Sequence, residues 1–354
     1  MESPAPTPPA PLRWRDALRR ILAVLEGSPC GDAWAPGEQE LRMLQMAGFG
    51  PLLSHVLAGH PAGPTLFAEE VLNGRRIEAH RRILAELAGR LEGKASPPIL
   101  FKGMAACDEL YDKPSLRVFT DVDLLIPSVD LPAWDEAIRS LGGWCADADV
   151  FGKRGFSARH YFEHAFHLPS GDEDLQVELD LHLSFGPRQR YPMDYEGIAP
   201  ACRRSEHGPY LVLEPLQWIC ALAVHQVRSL FVWSYQDYLD LFQILKKWPV
   251  DDNALLEEAG RFEARKALSI LLRNLCMAIP DGSTVRIPRL DDFLPPGHEE
   301  FREQMMLPVA SRPVGDPSFL RNAQRAARLS DSWLGLVRYA AAYLVKRGAD
   351  LVVR

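Results

Sequence analysis

Two aspartates stand two residues apart in the largely apolar run Val118-Phe119-Thr120-Asp121-Val122-Asp123-Leu124-Leu125-Ile126. On a strand, residues i and i+2 share a face, so both carboxylates project the same way, roughly 6–7 Å apart along the chain. Like charges flanked by Val122, Leu124 and Leu125 repel each other and resist burial. A divalent cation between them removes that penalty. Hard carboxylate oxygens suit Mg²⁺ or Mn²⁺, which complete their shells with water and substrate phosphate. Further on, Gln176 to Leu183 alternates polar and apolar residues and so presents Glu178, Asp180 and His182 on one face. Of these, Asp180 is favoured as a third carboxylate, completing a metal site for in-line displacement or acting as general base. Alone, that alternation equally describes a half-buried strand with a polar outer face, and a lone D-x-D describes a surface strand or turn. Their combination is what points to chemistry. Upstream, Lys102-Gly103 falls where a short strand meets a helix, a place where a flexible glycine and free amides approach phosphate closely. Lys102 and Arg117 would then neutralise triphosphate oxygens.

Taken in order, Lys102-Gly103, Leu110-Tyr111, Arg117, Asp121-Val122-Asp123-Leu124 and Glu178-Leu179-Asp180-Leu181-His182 resemble the bacterial nucleotidyltransferase family proteins of the DNA polymerase β superfamily. The arrangement is also similar to that of the abortive-infection toxin nucleotidyltransferases, with their KG, Arg and D-x-D. The likeness is best from Ile99 to Phe185. It implies a strand-turn-helix that cradles the triphosphate of an NTP such as ATP, with Lys102, Gly103 and Arg117 as phosphate contacts. It likewise implies that Asp121, Asp123 and Asp180 are the catalytic carboxylates and ligate Mg²⁺ (or Mn²⁺). The activity implied is transfer of an NMP to a hydroxyl-type acceptor on a small molecule, a protein or RNA. His225, Trp233 and Asp237 look like the family's C-terminal helical signature. Read from the residues alone, His225 is a satisfied core histidine, and Asp237 and Asp240 line a helix face. One departure stands out. The superfamily's usual Gly-Ser is Gly103-Met104 here, so a phosphate-contacting hydroxyl is missing and Lys102 would have to substitute for it. An inactive nucleotide- or protein-binding accessory module is therefore one alternative, and a toxin that modifies tRNA is another.

The elements that must hold these residues in place follow from periodicity. Residues 1–11, with five prolines, read as a disordered lead. From 12 to 95 apolar residues recur at helical spacing, as in Leu18, Ile21, Leu22 and Leu25. Between 96 and 200 strands alternate with helices: strands at Ile99 to Phe101, Val118 to Ile126, His164 to Leu168 and Gln176 to Leu183, helices at Met104 to Tyr111 and at Asp130 to Leu141, the latter stopped by Gly142-Gly143. From 201 to 354 the reading is helical again, over Leu216 to Val227, Tyr235 to Lys247, Asn253 to Ile279 and Ser318 to Arg347. The fold class expected is α+β, with a small mixed β-sheet core between N-terminal and C-terminal helical regions. His160, His164 and His167 stand at i, i+4 and i+7 and would meet on one helix face as zinc ligands. The neighbours Tyr161-Phe162 and Ala165-Phe166 read instead as strand, which disperses the rings.

Composition narrows the function further. A formal charge of -7, from 40 Lys and Arg against 47 Asp and Glu, disfavours a general nucleic-acid coat. RNA remains a partner only through the basic last helix region, with Arg321, Arg325, Arg328, Arg338, Lys346 and Arg347, which reads first as a solvated face. The six cysteines are scattered without CxxC spacing, so reduced, mostly buried thiols and no disulfide are expected. The start lacks a secretion signal, and the apolar stretch Trp333 to Val345 is too short to span a membrane, so the chain is expected in the cytoplasm. There is no GxSxG, P-loop or GxGxxG.

Overall fold

The computed structural model describes residues 12–27, 34, 36–57, 59–145, 163–172, 175–186, 190–228, 235–301, 303–306, 324–325, 327–338 and 340–341. Four helices come first: α1 (Trp14–Leu25), α2 (Glu38–Met46), α3 (Gly50–Val56) and α4 (Gly63–Leu91). In α4 the buried side chains Leu66, Glu70, Asn73, Ile77, His80, Leu84, Leu87 and Leu91 follow one another at spacings of three and four, the stripe a helix needs to lie along a core. Three members of that stripe, Glu70, Asn73 and His80, are polar. Glu70 and Asn73 serve the site described below.

The sheet is built from β1 (Ile99–Phe101), β2 (Asp121–Leu125), β3 (Trp144–Cys145), β4 (Glu163–Pro169), β5 (Gln176–His182), β6 (Arg203–Arg204) and β7 (Leu211–Val212), in the spatial order β3-β4-β5-β2-β1-β7-β6. It is mixed: β2 runs parallel to β5, and β1 parallel to β7, while β1 and β2 are antiparallel, as are β4 and β5. Helix α5 (Gly103–Leu110) follows β1, and α6 (Leu131–Ser140) follows β2, ending at Gly142 with φ +80°. Past residue 200 the sheet continues, because β6 and β7 complete the edge beyond β1. A division at 200 therefore falls within the sheet.

A short helix, α7 (Tyr195–Ile198), precedes four others: α8 (Pro215–Arg228), α9 (Tyr235–Lys247), α10 (Asp252–Arg261) and α11 (Arg265–Ala278), with α12 (Glu303–Met306) last. The long helix expected over Asn253 to Ile279 is broken. Glu263 takes φ 54°, and the turn buries Phe262 and Ala264 completely before α11 starts. Gly260 stands in the last turn of α10, but the residue at positive φ is Glu263, and apolar residues continue at helical spacing across the turn. Asp331 accepts hydrogen bonds from the amides of Arg265 (2.6 Å) and Lys266 (3.1 Å), satisfying orphan donors at the start of α11. Trp14 of α1 stacks on Tyr235 of α9 with ring centroids 4.1 Å apart, joining the two helical flanks directly.

The outcome is the expected α+β fold, a mixed sheet with helices on either side in sequence. The single helix expected over Ser318 to Arg347 is interrupted: among its described residues 324–325, 327–328, 333–338 and 340–341 are helical, but 329–332 form a turn and bend in which Leu329 and Ser330 are buried. His160 lies outside the described residues. His164 and His167 are on β4, alternately buried and half-buried, which disperses their rings as the strand reading required. The thiols are less buried than expected: Cys107 and Cys220 are buried, but Cys145 and Cys202 are half-buried and Cys276 is exposed, none of the five in a disulfide. Among the described residues no helix is long and apolar enough to cross a membrane.

Candidate functional site

Register decides which side chains meet. Along the parallel β2/β5 pair, Asp121 lies opposite Glu178, Asp123 opposite Asp180 and Leu125 opposite His182. Across β5, β4 places Glu163 opposite His182 and Ala165 opposite Asp180. One face of three strands thus carries Asp121, Asp123, Glu178, Asp180, His182 and Glu163. Burial is graded along it, from exposed Glu178 through half-buried Asp180 and Asp121 to Asp123 and His182, which are 3% and 1% exposed. Phe101, the register partner of Asp123 on β1, closes the inner end by packing edge-on against His182 and Phe185.

Asp123 Oδ1 is the hub. It accepts from Lys102 Nζ at 2.7 Å and faces His182 Nε2 at 2.8 Å. Burial works to raise the Asp123 carboxyl, but the Lys102 ammonium and the His182 hydrogen bond outweigh it and hold the group well below the usual carboxylate range. Asp180 goes the other way. Burial, then the charges of Asp121, Asp123 and Glu163, push it up to about 7, against partial relief from Lys102. Two carboxylates on adjacent residues of a ladder thus have opposite protonation behaviour, a separation characteristic of reactive sites.

Ligand atoms of Asp123, Asp180 and His182 all lie within 4.8 Å of one another. These oxygens and an imidazole nitrogen fit a divalent ion, and the Lys102 ammonium on Asp123 marks a position where positive charge is favoured. Asp121 is not in that group. It sits two residues nearer the exposed end of the face, where Thr120 Oγ1 donates to its Oδ1 at 2.9 Å. His182, which joins the cluster, was visible in the sequence only as a third polar residue on the β5 face. Its diagonal approach to Asp123 depends on the β2/β5 register.

Lys102 is the N-cap of α5 and adopts φ 56°, an uncommon conformation for a side-chain-bearing residue. Gly103 is required for packing: a Cβ there would lie 2.6 Å from Phe119 Cβ. Met104 is fully buried in the core, so position 104 does not offer its side chain to the carboxylates.

Arg117 departs from expectation. Its guanidinium is directed into Asp240 of α9, with Nε 2.8 Å from Oδ1 and Nη2 2.7 Å from Oδ2, and with further bonds to Gln236 and the Val118 carbonyl. Tyr111 Oη donates to the same Asp240 at 3.0 Å. Burial opposes its charge, but Asp240 outweighs it, and the guanidinium stays protonated. Arg117 is thus held in a buried ion pair with Asp240. Asp237 and Asp240 are correspondingly not on a solvated face, being 4% and 0% exposed. Asp237 receives His225 Nδ1 at 2.7 Å and Gln226 Nε2 at 2.9 Å, so His225 is satisfied, though only half-buried.

The segment leading into Asp121 is held from both flanks. Glu70 of α4 binds Lys113 and Ser115, Asn73 donates to the carbonyls of Ser115 and Arg117 at 2.9 Å each, and Arg76 donates to that of Phe119 at 3.1 Å. Asn73 and Arg76 thus bind the carbonyls of Ser115, Arg117 and Phe119, and the strand expected from Val118 starts at Asp121.

A mixed sheet flanked by helices, with acidic residues on adjacent central strands, defines a nucleotidyltransferase-like α+β protein. The family model for an uncharacterised nucleotidyltransferase matches residues 38–276, more than half of the chain, and the chain belongs to that family. No curated protein and no solved structure matches it.

Proposed function

We propose that the chain is a metal-dependent nucleotidyltransferase that moves a nucleoside monophosphate from an NTP to a hydroxyl of a small molecule, a protein or RNA. The observation that carries this reading is the convergence of Asp123, Asp180 and His182 on one face of two parallel strands, with Asp121 beside them toward solvent. A bound divalent ion, Mg²⁺ or Mn²⁺, would supply charge neutralisation of the triphosphate and orientation for in-line displacement. Asp123 and Asp180 would hold it, with Asp121 as a further ligand at the exposed end.

The acceptor oxygen attacks the α-phosphorus, the bond to the bridging oxygen of the β-phosphate breaks, and pyrophosphate leaves. An Asp180 oxygen would accept the hydroxyl proton as general base. Asp123, held ionised, contributes negative charge throughout. Lys102 exchanges its bond to Asp123 for one to a phosphate oxygen when an NTP is present, taking the part expected of the absent serine.

A second reading, a catalytically silent nucleotide- or partner-binding module, is favoured by one observation: Met104 is buried where a phosphate-contacting serine is usual. Calorimetric titration with each of the four NTPs, with and without divalent ion, decides between them. Ion-dependent binding that disappears in the Asp121→Asn/Asp123→Asn double variant is the expected result. Absence of binding for all four NTPs transfers the case to the silent module.

A further inference from the structure

His182 is the member of the cluster for which phosphoryl chemistry on oxygen-bound Mg²⁺ provides no task. Its Nε2 is 2.8 Å from Asp123 Oδ1. Donors occupying adjacent positions on one octahedral ion sit about 3 Å apart, √2 times a bond of about 2.1 Å. The imidazole and the carboxylate already stand at that spacing. On the far side of the ring, Nδ1 faces Glu163 Oε2 at 3.9 Å, on the residue directly across the β4/β5 ladder. That separation is an ion-pair distance and not a hydrogen bond; closing it by under about 1 Å would complete the carboxylate–imidazole–metal order by which proteins orient a metal-bound histidine. The Lys102 ammonium, 2.7 Å from the same Asp123 oxygen, is a cation standing beside that position. Mg²⁺ keeps oxygen ligands and near-ideal octahedral geometry. Mn²⁺ shares its liking for carboxylates but belongs to the first-row series whose later members favour imidazole, so two carboxylates and one imidazole suit it better than Mg²⁺.

Resting on the nucleotidyltransferase reading above, we propose that the ion at this site is a transition-metal dication of the Mn²⁺ type, ligated directly by His182 Nε2 together with Asp123 and Asp180 and oriented through Glu163. Mg²⁺ is then a poor substitute at this position.

The test uses the full chain, stripped with a chelator and titrated calorimetrically with MnCl₂ and with MgCl₂ without nucleotide, followed by pulsed EPR of the Mn²⁺-loaded protein for ¹⁴N coupling. Mn²⁺ is expected to bind more tightly than Mg²⁺ and to show directly coordinated nitrogen. His182→Asn should abolish the nitrogen coupling and most of the preference. Glu163→Gln should keep the coupling and weaken Mn²⁺ about tenfold. Melting curves in EDTA report whether each variant folds; should His182→Asn fail to fold, the wild-type EPR spectrum and Glu163→Gln decide. Equal affinity for the two ions, or Mn²⁺ bound without nitrogen coupling, overturns the inference, and NTP binding with Mg²⁺ would then leave the nucleotidyltransferase reading standing. Nitrogen-coupled Mn²⁺ with no NTP binding would instead uphold the metal site and sink that reading.

Discussion

Asp180 owes its unusual proton affinity to neighbours that the β2/β5 and β4/β5 ladders impose: Asp121 and Asp123 on one side and Glu163 on the other, with burial the largest cause. The consequence for stability has a definite sign. A carboxyl raised from its unfolded value near 3.8 to about 7 binds more protons in the folded state between those limits, so it lowers stability progressively as pH climbs from about 4 to about 7. Asp180→Asn removes that effect. The melting temperature of the variant should therefore exceed the wild type's by a margin that grows over this range and levels off above pH 7, while ion-dependent NTP binding is lost. A margin independent of pH would show that Asp180 is not the group that titrates. Asp123 behaves oppositely, since its stabilising partners Lys102 and His182 act on the ionised form, and their contribution is lost as pH falls below the ordinary carboxylate range. At this scale the sequence was informative about residue type and face. Asp121, Asp123 and Asp180 are legible from two-residue spacing alone, whereas the pairing of Asp123 with His182 and Lys102 needs three strands in register.

Elements explain Arg117. Lying four residues before Asp121, it reads naturally as a cation for the substrate, yet α9 delivers Asp240 to it from 123 residues away. Removing one partner of such a buried pair leaves an uncompensated charge, which typically costs about 3–5 kcal/mol. Arg117→Met and Asp240→Leu are each expected to destabilise the protein on that scale in urea unfolding, and the double variant to recover much of the loss, because neither charge then remains. Should Arg117→Lys instead weaken NTP binding and leave the unfolding midpoint unchanged, the phosphate role would be restored. Helix α4 acts on the same segment through Glu70, Asn73 and Arg76, so the approach to the aspartates is fixed by side chains from the N-terminal and the C-terminal helices alike. Neither contact has a local signature. A glutamate and an asparagine in the middle of a helix look like solvated positions until the partner loop is known.

At the scale of the whole molecule, the three-part division at 95 and 200 follows the order of elements along the chain. We propose that the three regions fold as one. Strand β1 takes β7 as its parallel neighbour, Trp14 stacks on Tyr235, and Arg117 is neutralised from α9. A fragment of residues 96–200 lacks β6, β7, α4 and Asp240, exposing the Arg117 charge and the β1 edge. It is expected to lack cooperative unfolding and to show poorly dispersed amide resonances by NMR. A fragment with sharp, dispersed resonances would establish an autonomous core.

By itself the sequence determined the alternation of elements, the α+β class and the faces on which the acidic residues lie. Those features are encoded within windows of ten or twenty residues, by a period near 3.6 in helices and of two in strands. Only the tertiary structure decided which residues on those faces act on one another. Register brought His182 to Asp123 and Glu163 to His182, distant helices claimed Arg117 and the carbonyls before Asp121, and a residue at positive φ, Glu263, split one periodic run into two helices. Each of these depends on chain segments separated by far more than a local window, or on a backbone conformation that the residue's type does not announce.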